Sequence, residues 1–138
     1  MTIAIVAGIG AGIAVVLLGW SAGLDRDRAY YPTILMVIAL YYALFAAMAG
    51  SNAALLYEGI GIAVFSAVAI FGFRRSLWLV AFGLAGHGVF DLFHAKLISN
   101  PGVPEWWPAF CSAADVTLGV IVALMLTKGT LHNVRRPG

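Results

Sequence analysis

Five ionisable side chains fall inside otherwise uncharged apolar runs of this sequence: Glu58, His87, Asp91, His94 and Asp115. The remaining acids, Asp25, Asp27 and Glu105, occupy polar breaks between the runs. On insertion scales an acid at the centre of a membrane helix carries a penalty of roughly 2.5–3.5 kcal/mol, so such groups face a bundle interior and one another rather than lipid. Three of the five stand in one stretch, His87-Gly-Val-Phe-Asp91-Leu-Phe-His94. At about 100° per residue Asp91 falls about 40° from His87, and His94 about 20° on the other side, so the three share a stripe of about 60°. Side chains at i, i+4 and i+7 project into one cavity, which is what a metal site or a proton relay needs.

The residue types narrow the chemistry. Two histidines with carboxylates suit Zn²⁺, Mn²⁺ or Fe²⁺. His87 and His94, with Asp91 or Asp115, would be ligands and leave a coordination position open. Water bound there becomes acidic enough to attack an ester or amide at neutral pH. Glu58 or the remaining aspartate would act as general base, and Ser112 would orient a substrate oxygen. The expected catalytic set is therefore Glu58, Asp91, Asp115 and Ser112, acting on a lipid or lipophilic molecule that arrives through the bilayer. The single cysteine, Cys111, rules out an intramolecular disulfide and a cysteine-rich metal site. Without a metal, a buried carboxylic acid beside a histidine can protonate an alkene and remove a proton elsewhere, as in an isomerase or cyclase. The same residues would also serve a lipid-binding protein, a proton-coupled transporter working as a homo-oligomer, or a purely structural polar network. No span holds a central lysine for a Schiff base, which argues against a retinal-type pigment.

The elements that must position these groups follow from composition. The 138 residues are 62% hydrophobic and only 10% charged, with a mean hydropathy of +0.97. Soluble domains carry about 45–50% apolar and ~25% charged residues. Too few charges remain to coat a water-soluble globule, which excludes a nucleic-acid-binding or cytosolic domain. The expected fold is all-α: a single polytopic domain in the cell membrane, with five spans at about 2–24, 30–50, 53–73, 76–98 and 106–127. The breaks carry turn chemistry, including Gly50-Ser51-Asn52 and Asn100-Pro101-Gly102. Five spans put Arg26, Arg28, Arg74, Arg75, Lys128, Arg135 and Arg136 on one side and Lys96 on the other. Short Lys/Arg-rich loops stay cytoplasmic, so the N-terminus is expected outside and the C-terminus, with His132 in its tail, inside. The first span lacks a basic n-region and is too long for a signal peptide's apolar core, so it reads as an anchor.

Along these spans, Glu58 lies about 8–9 Å, and Asp91 and Asp115 about 13 Å, from the outer ends at ~1.5 Å per residue, which predicts one site in the outer half of the bilayer. On the fifth span Pro108, Cys111, Ser112, Asp115 and Gly119 fall on one side, within about 100°, and Tyr41 and Tyr42 could contribute a phenol from the second. The Gly8/Gly12 and Gly59/Ala63 pairs have the small-xxx-small spacing that lets helices approach closely.

The segment from Gly86 to Gly119, with HGVFDLFH, NPGVPEWWP and CSAAD, resembles a small family of bacterial integral-membrane proteins, a resemblance that implies no particular activity. The His87–Asp91 spacing is similar to that of intramembrane sterol isomerases. The residue types resemble the His/Asp/Ser sites of seven-span ceramidase-like hydrolases, although this chain has two spans fewer.

Overall fold

The computed structural model describes residues 1–131, so His132, Arg135 and Arg136 lie outside the described residues. It contains five α-helices, α1 (Thr2–Ala22), α2 (Tyr30–Met48), α3 (Asn52–Arg74), α4 (Leu77–Leu97) and α5 (Trp107–Thr127), with a 3-10 turn at Leu24–Arg26 after the first. All five are long and apolar enough to cross a membrane, and no strand occurs among the described residues. Each helix end lies within two residues of the boundary expected from the uncharged runs.

Local chemistry sets the breaks. Gly23, at φ 71°, ends α1 in the left-handed region that a Cβ disfavours. Gly50, at φ 66°, does the same between α2 and α3. Ser51 and Ser76 accept from the backbone N–H groups of Ala54 and Trp78 at the starts of α3 and α4. Pro108 sits in the first turn of α5, where its missing N–H breaks no helical bond. At the other end of α3, the Arg28 guanidinium donates to the carbonyls of Phe73 at 2.8 Å and Gly72 at 3.2 Å. Unpaired C-terminal carbonyls are thereby met by a cation.

Helix α4 is the centre of the bundle, packed against α5, α3 and α2, while α1 lies along α5. Small residues decide these approaches. A Cβ on Gly12 would come within 2.8 Å of the Ala114 carbonyl oxygen, and one on Gly8 would strike the Phe110 carbonyl. On α4 and α5, Gly88 faces the Ser112 carbonyl and Gly119 the backbone of Ala81 and Ala85, each at 2.8 Å. The Gly8/Gly12 spacing is thus a helix seam. The Gly59/Ala63 pair is not: both residues are exposed, and nothing lies within 4 Å of a Cβ built on Gly59. Helix α3 spends that face outward because its inward contacts are made by Ala54, Glu58, Ala69 and Gly72.

The contacts place Arg26, Arg28, Arg74, Arg75 and Lys128 at one end of the bundle, and Lys96 with the 98–106 connection at the other. These are called the arginine end and the loop end below. The apolar core, built on Leu35, Val80, Leu84, Leu118 and Val122, fills the arginine-end half. The polar residues occupy the half toward the loop end.

Candidate functional site

All five ionisable residues are buried: Glu58 is 3% exposed, and His87, Asp91, His94 and Asp115 are each 1% exposed. The helical stripe of α4 therefore faces inward as its spacing predicts, and α3 and α5 bring their acids to it. The structure divides the set into two clusters.

The first joins α4 to α5. His87 Nδ1 is 2.8 Å from Asp115 Oδ2 and 3.6 Å from Asp91 Oδ2. One ligand atom from each of the three residues lies within 4.8 Å of the others, an arrangement that could hold a metal ion. Tyr42 donates its hydroxyl to Asp91 Oδ1 at 2.8 Å from α2. The other oxygen, Asp91 Oδ2, is buried with no hydrogen-bond partner. Buried polar atoms are nearly always bonded, and an unpaired buried charge is far costlier than an unpaired neutral group. One imidazole thus serves two carboxylates, and the unmet hydrogen-bonding capacity is at Asp91.

The second cluster joins α4 to α3 and the 98–106 connection. His94 Nε2 is 2.8 Å from Glu58 Oε1, and the Asn100 amide donates to the same oxygen at 2.9 Å. Asn100 also donates to the Tyr42 carbonyl at 2.9 Å and accepts from Gly102 N through its Oδ1 at 3.2 Å. Here one acid meets one histidine and an amide at a single carboxylate oxygen, and none of the three residues carries a fully buried, unbonded polar atom. Tyr42 links the two clusters: its ring stacks on His94 at 3.8 Å between centroids while its hydroxyl holds Asp91. Phe65, its ring centroid 4.6 Å from that of His87, and Phe90, 5.6 Å from His94, wall the site with hydrocarbon.

His94, expected as a metal ligand, stands outside the three-residue group and is committed to Glu58. Ser112 is buried one turn before Asp115, with its carbonyl against Gly88, and its hydroxyl makes no bond to the carboxylates. Of the two tyrosines, Tyr42 enters the site, whereas Tyr41 is 38% exposed and packs near Trp107. Asn100 is the residue that sequence reasoning missed. It reads as a turn former, although the need of a buried Glu58 for donors from a neighbouring element is a signal that could have found it.

A cavity of about 430 Å³ lies at the loop end, lined by His94, Asn100, Pro101, Glu105 and Pro108 among others. It brings a vestibule with mixed polar and apolar walls up to the second cluster, while the first lies deeper. The two clusters are thus arranged in series from the loop end. Comparison with protein-family models, with curated proteins and with solved structures gave no match for this chain.

Proposed function

We propose that the chain is a metal-dependent enzyme of the cell membrane that acts on a lipophilic substrate, with a divalent ion held by His87, Asp91 and Asp115. The observation that carries this reading is the buried, unbonded Asp91 Oδ2 beside two other ligand atoms. A divalent cation would balance two carboxylates with a neutral imidazole, leaving no net charge in a low-dielectric interior. One nitrogen and two oxygens suit Zn, Mn or Fe, and three protein ligands leave a position open for water. Such an ion would supply an activated water for ester or amide hydrolysis. The water oxygen would bond to the carbonyl carbon, its proton would pass to a carboxylate, and the departing alcohol or amine would take a proton as its bond to carbon breaks. The Glu58–His94 pair, next to the vestibule, would exchange protons with the outside, and Tyr42 would hold Asp91 in place. Ser112 would orient the substrate oxygen. In this reading the loop end faces outward and the arginine end the cytoplasm, as the cation distribution predicts.

A second reading rests on the closeness of the same two carboxylates. A proton bridging Asp91 and Asp115, whose ligand atoms lie within 4.8 Å of one another, would also give Oδ2 a hydrogen-bond partner. The chemistry would then be metal-free proton transfer. Metal content by mass spectrometry decides between the two, using protein purified in detergent without chelator. The metal reading expects near-stoichiometric Zn, Mn or Fe in wild type, lost in both His87→Ala and Asp91→Asn. No metal in wild type would overturn it in favour of the shared proton.

A further inference from the structure

Asp115 has a second side. Besides meeting His87, it belongs to the wall of a cavity of about 290 Å³ enclosed by α1, α2 and α5. That volume is at the lower edge of the ~300–1,000 Å³ typical of ligand pockets, room for one chain or ring system. The cavity exists because α1 lies along α5 and α2 along α3, with no seam of comparable extent between α1 and α2. Those two helices meet instead through Tyr30, whose hydroxyl donates to the Val15 carbonyl at 2.9 Å and whose ring fills the space beside Gly19. Beyond that brace they part. Val37, 47% exposed, and Tyr41, 38% exposed, stand at the resulting opening. Cys111 and Ala114, at 5% and 8%, form the floor.

Depth and charge specify the occupant. The walls run from Thr33 to Tyr41 on α2 and from Trp107, the first residue of α5, to Leu118, so the cavity extends from the loop end to the middle of the spans, where Val37 stands at its opening. Asp115 is about 12 Å along α5 from Trp107 at ~1.5 Å per residue, close to the midplane of a hydrocarbon core about 30 Å thick. What surrounds an opening at that depth is lipid tail, not water. A phosphate headgroup drawn to this level would meet no cation among the described residues of the wall, where Asp115 is the one acid or base. Thr33, Tyr41, Cys111 and Trp107, whose indole N–H has no acceptor in the protein, offer hydrogen bonds but no positive charge.

We propose that this cavity admits an uncharged, single-chain lipophile laterally from the bilayer between α1 and α2, and sets its one polar group against Asp115. As the substrate site it rests on the metal-dependent reading above; as a binding site it does not. Vesicles containing the protein would be illuminated with a diazirine-bearing long-chain alcohol, or in parallel with a phosphatidylcholine carrying the diazirine in one acyl chain. Labelled residues would then be mapped by mass spectrometry. The neutral probe is expected to label Cys111 and Ala114. Val37→Trp and Ala11→Phe, which fill the cavity from opposite walls without touching the first cluster, should lower that labelling at least tenfold. Labelling of the outward-facing Leu44 and Val120 should be unchanged. The phosphatidylcholine probe is expected to mark outward residues alone. Neutral-probe labelling confined to outward residues, or insensitive to both filling substitutions, would overturn the proposal. Equal labelling of Cys111 and Ala114 by the phospholipid would overturn its restriction to uncharged lipophiles. Metal content measured on the same samples separates the two ideas: label without metal refutes the enzyme reading alone, and metal without label refutes this one alone.

Discussion

The two polar clusters are built from similar residues and differ in how well they are satisfied. Around Glu58, one carboxylate faces one imidazole and the Asn100 amide, and the connection from α4 to α5 folds back to complete the bonding. Around His87, two carboxylates share one imidazole, and Asp91 Oδ2, 3.6 Å from His87 Nδ1, has no hydrogen-bond partner. A closed set of hydrogen bonds holds helices in register and asks for nothing further. An open one, buried among phenyl rings, costs free energy for as long as its polar atom stays unbonded. In the reading proposed above, the His87 side would bind the ligand, and the Glu58 side would hold the helices in register and pass protons to the vestibule, although His87 and His94 lie on the same stripe of α4.

The largest effect should come from breaking the closed cluster. Glu58→Ala removes the acceptor for both His94 and Asn100, and loss of one member of a buried pair costs about 3–5 kcal/mol. Thermal unfolding in detergent should show a clear drop in midpoint, and an unchanged midpoint would dissolve the distinction between the clusters. Tyr42→Phe should act on the open cluster instead. It deletes the hydroxyl that orients Asp91 while keeping the ring stacked on His94, and removal of such a supporting bond typically lowers metal affinity about 10–100-fold. Competition with a graded series of chelators would measure this; affinity equal to wild type would mean that Tyr42 does not position a ligand. The smallest effect is expected for Asn100→Ala. Glu58 keeps His94, and although three Asn100 bonds go, all are part-buried beside the vestibule where water can replace them, so the loss should be about 1–2 kcal/mol, seen as a small fall in the unfolding midpoint with metal content retained. Loss of metal in this variant would show that the two clusters work as one.

Much of this was legible before any coordinates. Apolar runs interrupted by Asp25–Arg28, Gly50–Asn52, Arg74–Ser76 and Asn100–Gly102 mark five helices, because turn residues and charges cannot continue a membrane span. The inward orientation of His87, Asp91 and His94 follows from helical periodicity alone. The pairing was not legible. His94 and Asp115 could have met one another or the same ion as far as depth along the spans could tell. Which acid reaches which histidine depends on the rotation and register of α3 and α5 against α4. Contacts such as Gly88 on the Ser112 carbonyl and Gly119 on Ala81 set that register, and small residues of this kind are too common in membrane helices to mark their partners. Gly59 illustrates the point: it has the same spacing to Ala63 as Gly8 has to Gly12, yet it faces outward.

The sequence by itself determined that the chain forms apolar helices and that five ionisable groups must turn inward. Both follow from costs that act on each segment separately: unpaired backbone and exposed charge are expensive in hydrocarbon wherever the segment packs. Only the tertiary structure decided that Glu58 and Asn100 satisfy His94, that Asp91 keeps an unbonded oxygen, and that α1 and α2 part to leave a cavity against Asp115. Those outcomes depend on how closely backbones approach and at what rotation, quantities that belong to pairs of helices and not to any one of them.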